Sequence, residues 1–132
     1  MYILVDPSEK DRIKIIGFDE TNIETEVFDA INREILFSLD YFLLARKMDK
    51  KNVQGIAVVV GVGGFTSTRL ATTLANAWHF VENIPLLAIS VDEVMEPQKL
   101  IKKFNLDSDK SRGLNVRQYI LAEYSGEPNI GL

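Results

Sequence analysis

Residues 54–90, QGIAVVVGVGGFTSTRLATTLANAWHFVENIPLLAIS, constrain the fold of this chain more than any other stretch. Ile56 to Val60 is a short β-branched run of the kind that forms a strand buried on both faces. Gly61, Gly63 and Gly64 let the backbone turn sharply, and Thr66 or Ser67 supplies a hydroxyl to cap the helix that follows. That helix is expected to run to about Val81. Pro85 ends the connection, and Leu86 to Ile89 makes a second buried strand. A strand–helix–strand unit of this length builds a parallel pair through a right-handed crossover. The chain therefore belongs to the α/β class.

The glycine turn has two readings. Free N–H groups at a helix N-terminus attract an anion, so Gly61, Gly63, Gly64 and Thr66 are candidate phosphate ligands. The same residues also serve as a tight strand-to-helix connection, and the P-loop spacing with its Lys-Ser/Thr pair is absent.

Before this unit the chain reads as three strands. Tyr2 to Val5, Arg12 to Phe18 and Asn22 to Phe28 are separated by short turns and predict an antiparallel meander. With the later two strands this makes a five-stranded mixed sheet, in the order three strands, then helix, strand, helix, strand, helix. Asp6 ends the first strand, either as a turn residue or as an acidic group toward phosphate. Pro7 after it removes one backbone donor.

A first helix is expected over roughly Asn32 to Met48. At 100° per residue, Ile35, Leu36, Leu39, Phe42 and Leu43 form one apolar face, while Phe37, Tyr41, Leu44 and Met48 form a stripe nearly opposite. A helix lying on a sheet needs one apolar face, so the second must be covered, either by another helix of the chain or by a protein partner. On the second helix, Leu70, Leu74, Ala77, Trp78 and Val81 are expected to face the sheet. Thr68, Ala71, Thr72, Ala75 and His79 line the other side, where small side chains suit close approach by another helix. His79, a lone histidine at a helix end, is expected at the surface or in an interface rather than as a ligand or base.

Ser90 begins a short helix with Asp92 and Glu93 in its first turn, and Pro97 kinks it or starts another. Residues 105–118 read as a linker and Tyr119 to Tyr124 as a final strand. The chain thus divides into a lobe over 1–104 and a linker with tail over 105–132. Residues 1–96 carry 9 basic and 15 acidic side chains, whereas residues 97–117 carry 6 basic (Lys99, Lys102, Lys103, Lys110, Arg112, Arg117) against Asp107 and Asp109. The basic segment suits RNA or an acidic partner, or simply a solvated helix face and loop.

Composition excludes several classes. There are no cysteines among the 132 residues, so a disulfide framework and a thiolate metal site are both ruled out. No stretch approaches the roughly 20 apolar residues of a membrane span. The opening MYILVDPS lacks a charged leader and starts a strand at once, so a cytoplasmic location is expected. A net charge of −4 argues against a surface wholly devoted to nucleic acid. There is no HExxH, no Gly-x-Ser-x-Gly and no clustered Asp/His set, so no catalytic residues and no metal ligands are assigned.

GVGGFTSTR resembles the G-P-G-S-F-T-G-[LV]-R signature of the TsaB (YeaZ) family, within the ASKHA superfamily. Gly61, Gly63, Phe65, Thr66 and Arg69 match; Val62, Gly64, Ser67 and Thr68 depart from it. IPLLAIS is similar to the family's I-P-[LM]-I-G-V-S, and YILVDPS stands where the family has Asp-Thr-Ser. The tail, with Tyr124, Pro128 and Ile130, resembles a Y-x-x-x-P-x-I ending. The resemblance implies a single ASKHA (RNase H-like) lobe with most of a second lobe missing. Since ASKHA enzymes hold nucleotide between two lobes, ATP hydrolysis by this chain alone is not expected. It implies instead a non-catalytic scaffold without a cofactor of its own. Such a scaffold pairs with the TsaD transferase in threonylcarbamoyladenosine modification of tRNA, with ATP handled by TsaD and the TsaE ATPase. In that family the first two helices form the contact, or a homodimer when the protein is alone, and tRNA is met only indirectly. The interface residues implied are Phe37, Tyr41, Leu44, Met48, Thr68, Ala71, Thr72, Ala75 and His79. An ASKHA-like enzyme binding nucleotide or phosphate, and a self-associating homodimeric structural protein, are the alternatives.

Overall fold

A computed structural model describes residues 1–29, 35–61 and 65–105, apart from the side chains of 35, 36, 65–68 and 70. The tail reading, including the final strand at Tyr119–Tyr124, lies outside the described residues. Within them, β1 (Tyr2–Asp6), β2 (Arg12–Phe18), β3 (Ile23–Asp29), β4 (Ile56–Val59) and β5 (Leu86–Ile89) form one sheet in the order β3-β2-β1-β4-β5. The helices are α1 (Ile35–Ala45) and α2 (Phe65–Glu82). The sheet is mixed, as expected: β1–β2 and β2–β3 pair antiparallel, and β1–β4 and β4–β5 pair parallel.

Burial follows position in the sheet. The inner strands β1 and β4 are buried along their whole length, as strands covered on both faces must be. Ile3 and Val5 point with Ile13, Ile15, Ile56 and Val58 to the face covered by α1 and α2. Tyr2, Leu4, Ile16, Phe18, Ala57 and Val59 point to the other face. β3 is an edge strand whose Glu24 and Glu26 stand exposed or half-exposed, and charge along an edge discourages pairing with other chains. The β2–β3 turn is held by Asp19, whose Oδ1 accepts from the N–H groups of Thr21 (2.9 Å) and Asn22 (2.8 Å). Those two donors hold its carboxyl below the ordinary aspartate range.

The second face is closed by single-turn 3₁₀ helices at Val91–Met95 and Pro97–Lys99 and by helical residues 100–105. Ser90 begins this segment, with the expected capping box: its N–H donates to Glu93 Oε1 at 3.0 Å. Pro97 opens the next turn, where its missing N–H is no loss. Leu100 and Phe104 are buried against the sheet, and Phe104 stacks on Tyr2 with ring centroids 4.8 Å apart. Gln98 Nε2 donates to the Asp19 carbonyl at 2.9 Å, tying the segment to the β2–β3 turn.

Two expected outcomes follow from this second layer. A Cβ on Gly55 would lie 2.6 and 2.8 Å from Phe104 Cδ1 and Cε1 and 3.1 Å from Tyr2 Cδ1. Neither stacked ring yields easily, so Gly55→Ala should cost about 1–3 kcal/mol in a denaturant melt. Glu93 is paired with Lys103 and accepts from the Ser90 N–H, and these contacts hold its carboxyl below the ordinary glutamate range. Its contribution is therefore complete above the unfolded-state pKa and is lost as pH falls through the lower folded-state one. Glu93→Gln should flatten the decline in Tm between about pH 5 and pH 3, measured by circular dichroism.

Candidate partner-binding surface

α1 carries apolar side chains almost all the way round, and the sheet covers one side. Leu39, Phe42 and Leu43 are buried in the core, with Ser38 beside them. On the opposite side Phe37, Tyr41 and Leu44 remain 74%, 56% and 76% exposed. Three large apolar side chains at i, i+4 and i+7 thus make one stripe along the outer surface of the helix. Phe28 of β3 meets Tyr41 edge-on, centroids 5.9 Å apart, and extends the stripe toward the sheet edge.

Met48 does not continue the stripe. α1 stops at Ala45, and Lys47 takes a left-handed conformation at φ 55°. Met48 N–H then bonds to the Leu43 carbonyl (2.9 Å) and Lys47 N–H to that of Leu44 (3.0 Å). This is a Schellman termination, which swings the chain back and packs Met48 against the core. The expectation of an unbroken helix to Met48 is corrected by this turn.

Arg46 locks the same corner. Its Nε and Nη1 lie 3.0 Å from Glu24 Oε1 and 3.0 Å from Glu26 Oε1, and Nη1 also donates to the Phe42 carbonyl at 3.0 Å. The guanidinium sits 3.8 Å from the centroid of the Phe42 ring. Glu24 and Glu26, two apart on one strand, share a face, and that i, i+2 spacing is the sequence signal of the clamp. Periodicity and motif mark neither Arg46 nor Phe28.

The facing of α2 also differs from expectation. Ala71, Thr72, Ala75, Trp78 and His79 are buried within the chain, whereas Ala77 and Val81 are exposed and Leu74 is half-buried. The small residues are used for close approach to the chain's own core: Ala71 and Ala75 let α2 settle onto the sheet beside Val58 and Ile56, and Trp78 fills the space toward β5. The outward side is Arg69, Thr73, Ala77 and Phe80. Thr72 Oγ1 donates to the Arg69 carbonyl at 3.1 Å. His79 is not a surface group: its Nδ1–H donates to the Ile84 carbonyl and joins the end of α2 to the connection into β5. The side chains of Thr68 and Leu70 lie outside the described residues.

Of the phosphate candidates, the described residues include Asp6 and Gly61. The parallel β1–β4 register runs through Val5–Val58, so Asp6 and Gly61 lie at the same end of neighbouring strands. Asp6 is buried and its Oδ1 accepts from the Ser8 N–H at 2.9 Å, so this carboxylate closes its own turn. Gly61 has φ 86°, a conformation that favours glycine whatever the space around it. The N-terminal turn at Gly63 and Gly64 and the Thr66 side chain lie outside the described residues. No group of three or more His, Cys, Asp or Glu side chains is arranged to hold a metal among the described residues. Nor is any helix among them long and apolar enough to cross a membrane.

No protein-family model and no curated protein matches the chain. Solved structures do. YeaZ from Pseudomonas aeruginosa superposes with a TM-score of 0.60 at 21% identity, over 67% of this chain and 44% of that one. An uncharacterized protein with similarity to peptidase YEAZ from Pseudomonas aeruginosa superposes with a TM-score of 0.59 at 22% identity, over 68% and 44%. The likeness establishes a shared fold, and the chain spans less than half the length of either protein.

The two helices should respond differently to substitution. Leu44→Ser, on the exposed stripe, should change monomer stability by no more than about 0.5 kcal/mol. Ala75→Leu, in the interior, should destabilise by about 1–3 kcal/mol. Equilibrium urea unfolding of the two variants checks both.

Proposed function

We propose that this chain is a non-catalytic TsaB-like scaffold. Through α1 and the outer side of α2 it pairs with a TsaD-type transferase that places threonylcarbamoyl on tRNA adenosine. The observation that carries the reading is the stripe Phe37, Tyr41 and Leu44, exposed among the described residues on a helix already packed to the core by its other side. An aromatic and leucine stripe of this kind forms the water-free centre of a protein interface. The YeaZ fold and the GVGGFTSTR and IPLLAIS motifs support the choice of partner. In this reading residues 1–104 are the docking lobe and 105–132 a linker and tail. ATP is handled by the transferase and a TsaE-type ATPase, and tRNA is reached through the partner. In the absence of that partner the same stripe closes a homodimer, and the protein works in the cytoplasm.

On α2 the contact is made by the outward residues Thr73, Ala77 and Phe80, because Ala71, Thr72, Ala75 and His79 are buried within the chain.

Light scattering behind size exclusion tests the reading, on the chain alone and mixed with the TsaD-type protein of its own genome. A one-to-one complex formed at the expense of a self-dimer is expected. Tyr41→Glu should weaken that complex by about 2–5 kcal/mol, because it buries an unpaired carboxylate, while lowering the monomer's stability by no more than about 0.5–1.5 kcal/mol, the worth of the lost Phe28 contact. A complex indifferent to Tyr41→Glu would place the contact elsewhere.

A further inference from the structure

We propose that the docking register on α1 is set electrostatically at the C-terminal end of the stripe. Lys47 and Lys51 there receive carboxylates that border the apolar helix surface of the partner. The inference rests on the pairing proposed above and specifies the chemistry of the partner's surface.

Residues 46–51 carry four cations, Arg46, Lys47, Lys50 and Lys51, against Asp49. The structure sorts them into two pairs. Arg46 is neutralised by Glu24 and Glu26, and Lys50 lies 2.9 Å from Asp40 Oδ1, the acidic residue flanking Phe37 and Tyr41 on the helix. Internal carboxylates thus cancel the two cations that lie against the fold. Lys47 and Lys51 are exposed and have no ionic partner among the described residues. The Lys50–Asp40 contact ties this basic turn back to α1, and the Lys47 N–H bonds to the Leu44 carbonyl at 3.0 Å, which sets Lys47 at the C-terminal end of the stripe with Lys51 next to the anchored Lys50.

Lys47 occupies a position that chain geometry would assign to glycine. It is the left-handed residue of the Schellman turn, where any Cβ is strained. A cation held at that point, one turn beyond the most exposed leucine of the stripe, gives a flat apolar surface a charged end. Apolar contact alone lets two helices slide or reverse; one charged end distinguishes the two orientations and speeds correct encounter. The complementary partner presents an apolar helical ridge with two or more Asp or Glu at one end. A second copy of this chain is a poorer match, because its Glu24, Glu26 and Asp40 are already engaged by Arg46 and Lys50.

The test is stopped-flow association of the full chain with the TsaD-type protein at about 50 and 300 mM salt. For Lys47→Glu/Lys51→Glu, the association rate at low salt should fall tenfold or more and lose its salt dependence, with the dissociation rate within about threefold of the parent. Lys47→Gly separates a structural role from a docking one, since it relieves the left-handed strain. Its Tm should stay level or rise while association slows. Replacing the partner's bordering carboxylates with lysine should restore the rate of the doubly reversed chain. A parent complex whose rates ignore the reversal overturns this inference and leaves the pairing standing. Absence of any complex with the parent chain overturns the pairing and the inference together. Capture by anionic phosphatidylserine vesicles in place of the partner also overturns it, by assigning the basic end to a lipid surface.

Discussion

The parallel pairing of β1 with β4, through Ile3–Ile56, Leu4–Ala57 and Val5–Val58, is the contact on which everything else in this fold depends. These two strands are the only ones in the described sheet that are buried on both faces throughout. Their alternating side chains seed both cores at once, Ile3, Val5, Ile56 and Val58 toward the helices and Leu4, Ala57 and Val59 toward the 3₁₀ layer. A parallel pair needs a long crossover, and residues 7–55 provide it as a meander followed by α1. β2 and β3 then extend the sheet on one side, and α2 and β5 extend it on the other.

Covering that sheet from both sides leaves α1 in an unusual position. Its inner side is consumed by the core, yet its outer side is equally apolar. Within the described residues, nothing covers Phe37, Tyr41 or Leu44 beyond the edge-on contact from Phe28. The helix is held firmly from below by Arg46, which gathers Glu24, Glu26, the Phe42 carbonyl and the Phe42 ring at one point. A rigid support under an exposed aromatic stripe lowers the ordering cost when a partner arrives. The same clamp takes up Arg46, and among the described residues Lys47 and Lys51 have no ionic partner.

Much of the architecture was legible along the chain. β2 and β5 fall on the predicted residues, β1, β3 and β4 differ by a residue or so at their ends, and the Ser90 cap with Asp92 and Glu93 in its first turn is as expected. These are local signals: β-branched runs, glycine and proline punctuation, and a capping residue act over a few positions. The outward stripe of α1 was legible for a related reason. A helix apolar on opposite sides cannot bury both against one sheet, so Phe37, Tyr41 and Leu44 were marked by periodicity alone. The facing of α2 departs from expectation because apolar bulk does not mark its buried side. Val81 and Ala77 face outward, while Ala71 and Ala75 lie inside, where helix and sheet approach too closely for larger side chains.

Sequence by itself determined the α/β class, the strand order along the chain, the parallel crossover at residues 56–89 and the two-sided character of α1. Each follows from hydrophobic period and backbone punctuation, which neighbouring residues specify among themselves. Tertiary structure decided the rest. It turned Met48 inward through the Schellman turn at Lys47, set His79 to hold the end of α2, closed Asp6 onto Ser8, and paired Lys50 with Asp40. Those outcomes depend on contacts between residues far apart in the chain, such as Arg46 with Glu24 and Glu26. Only the assembled sheet brings such groups to within 3.0 Å of one another.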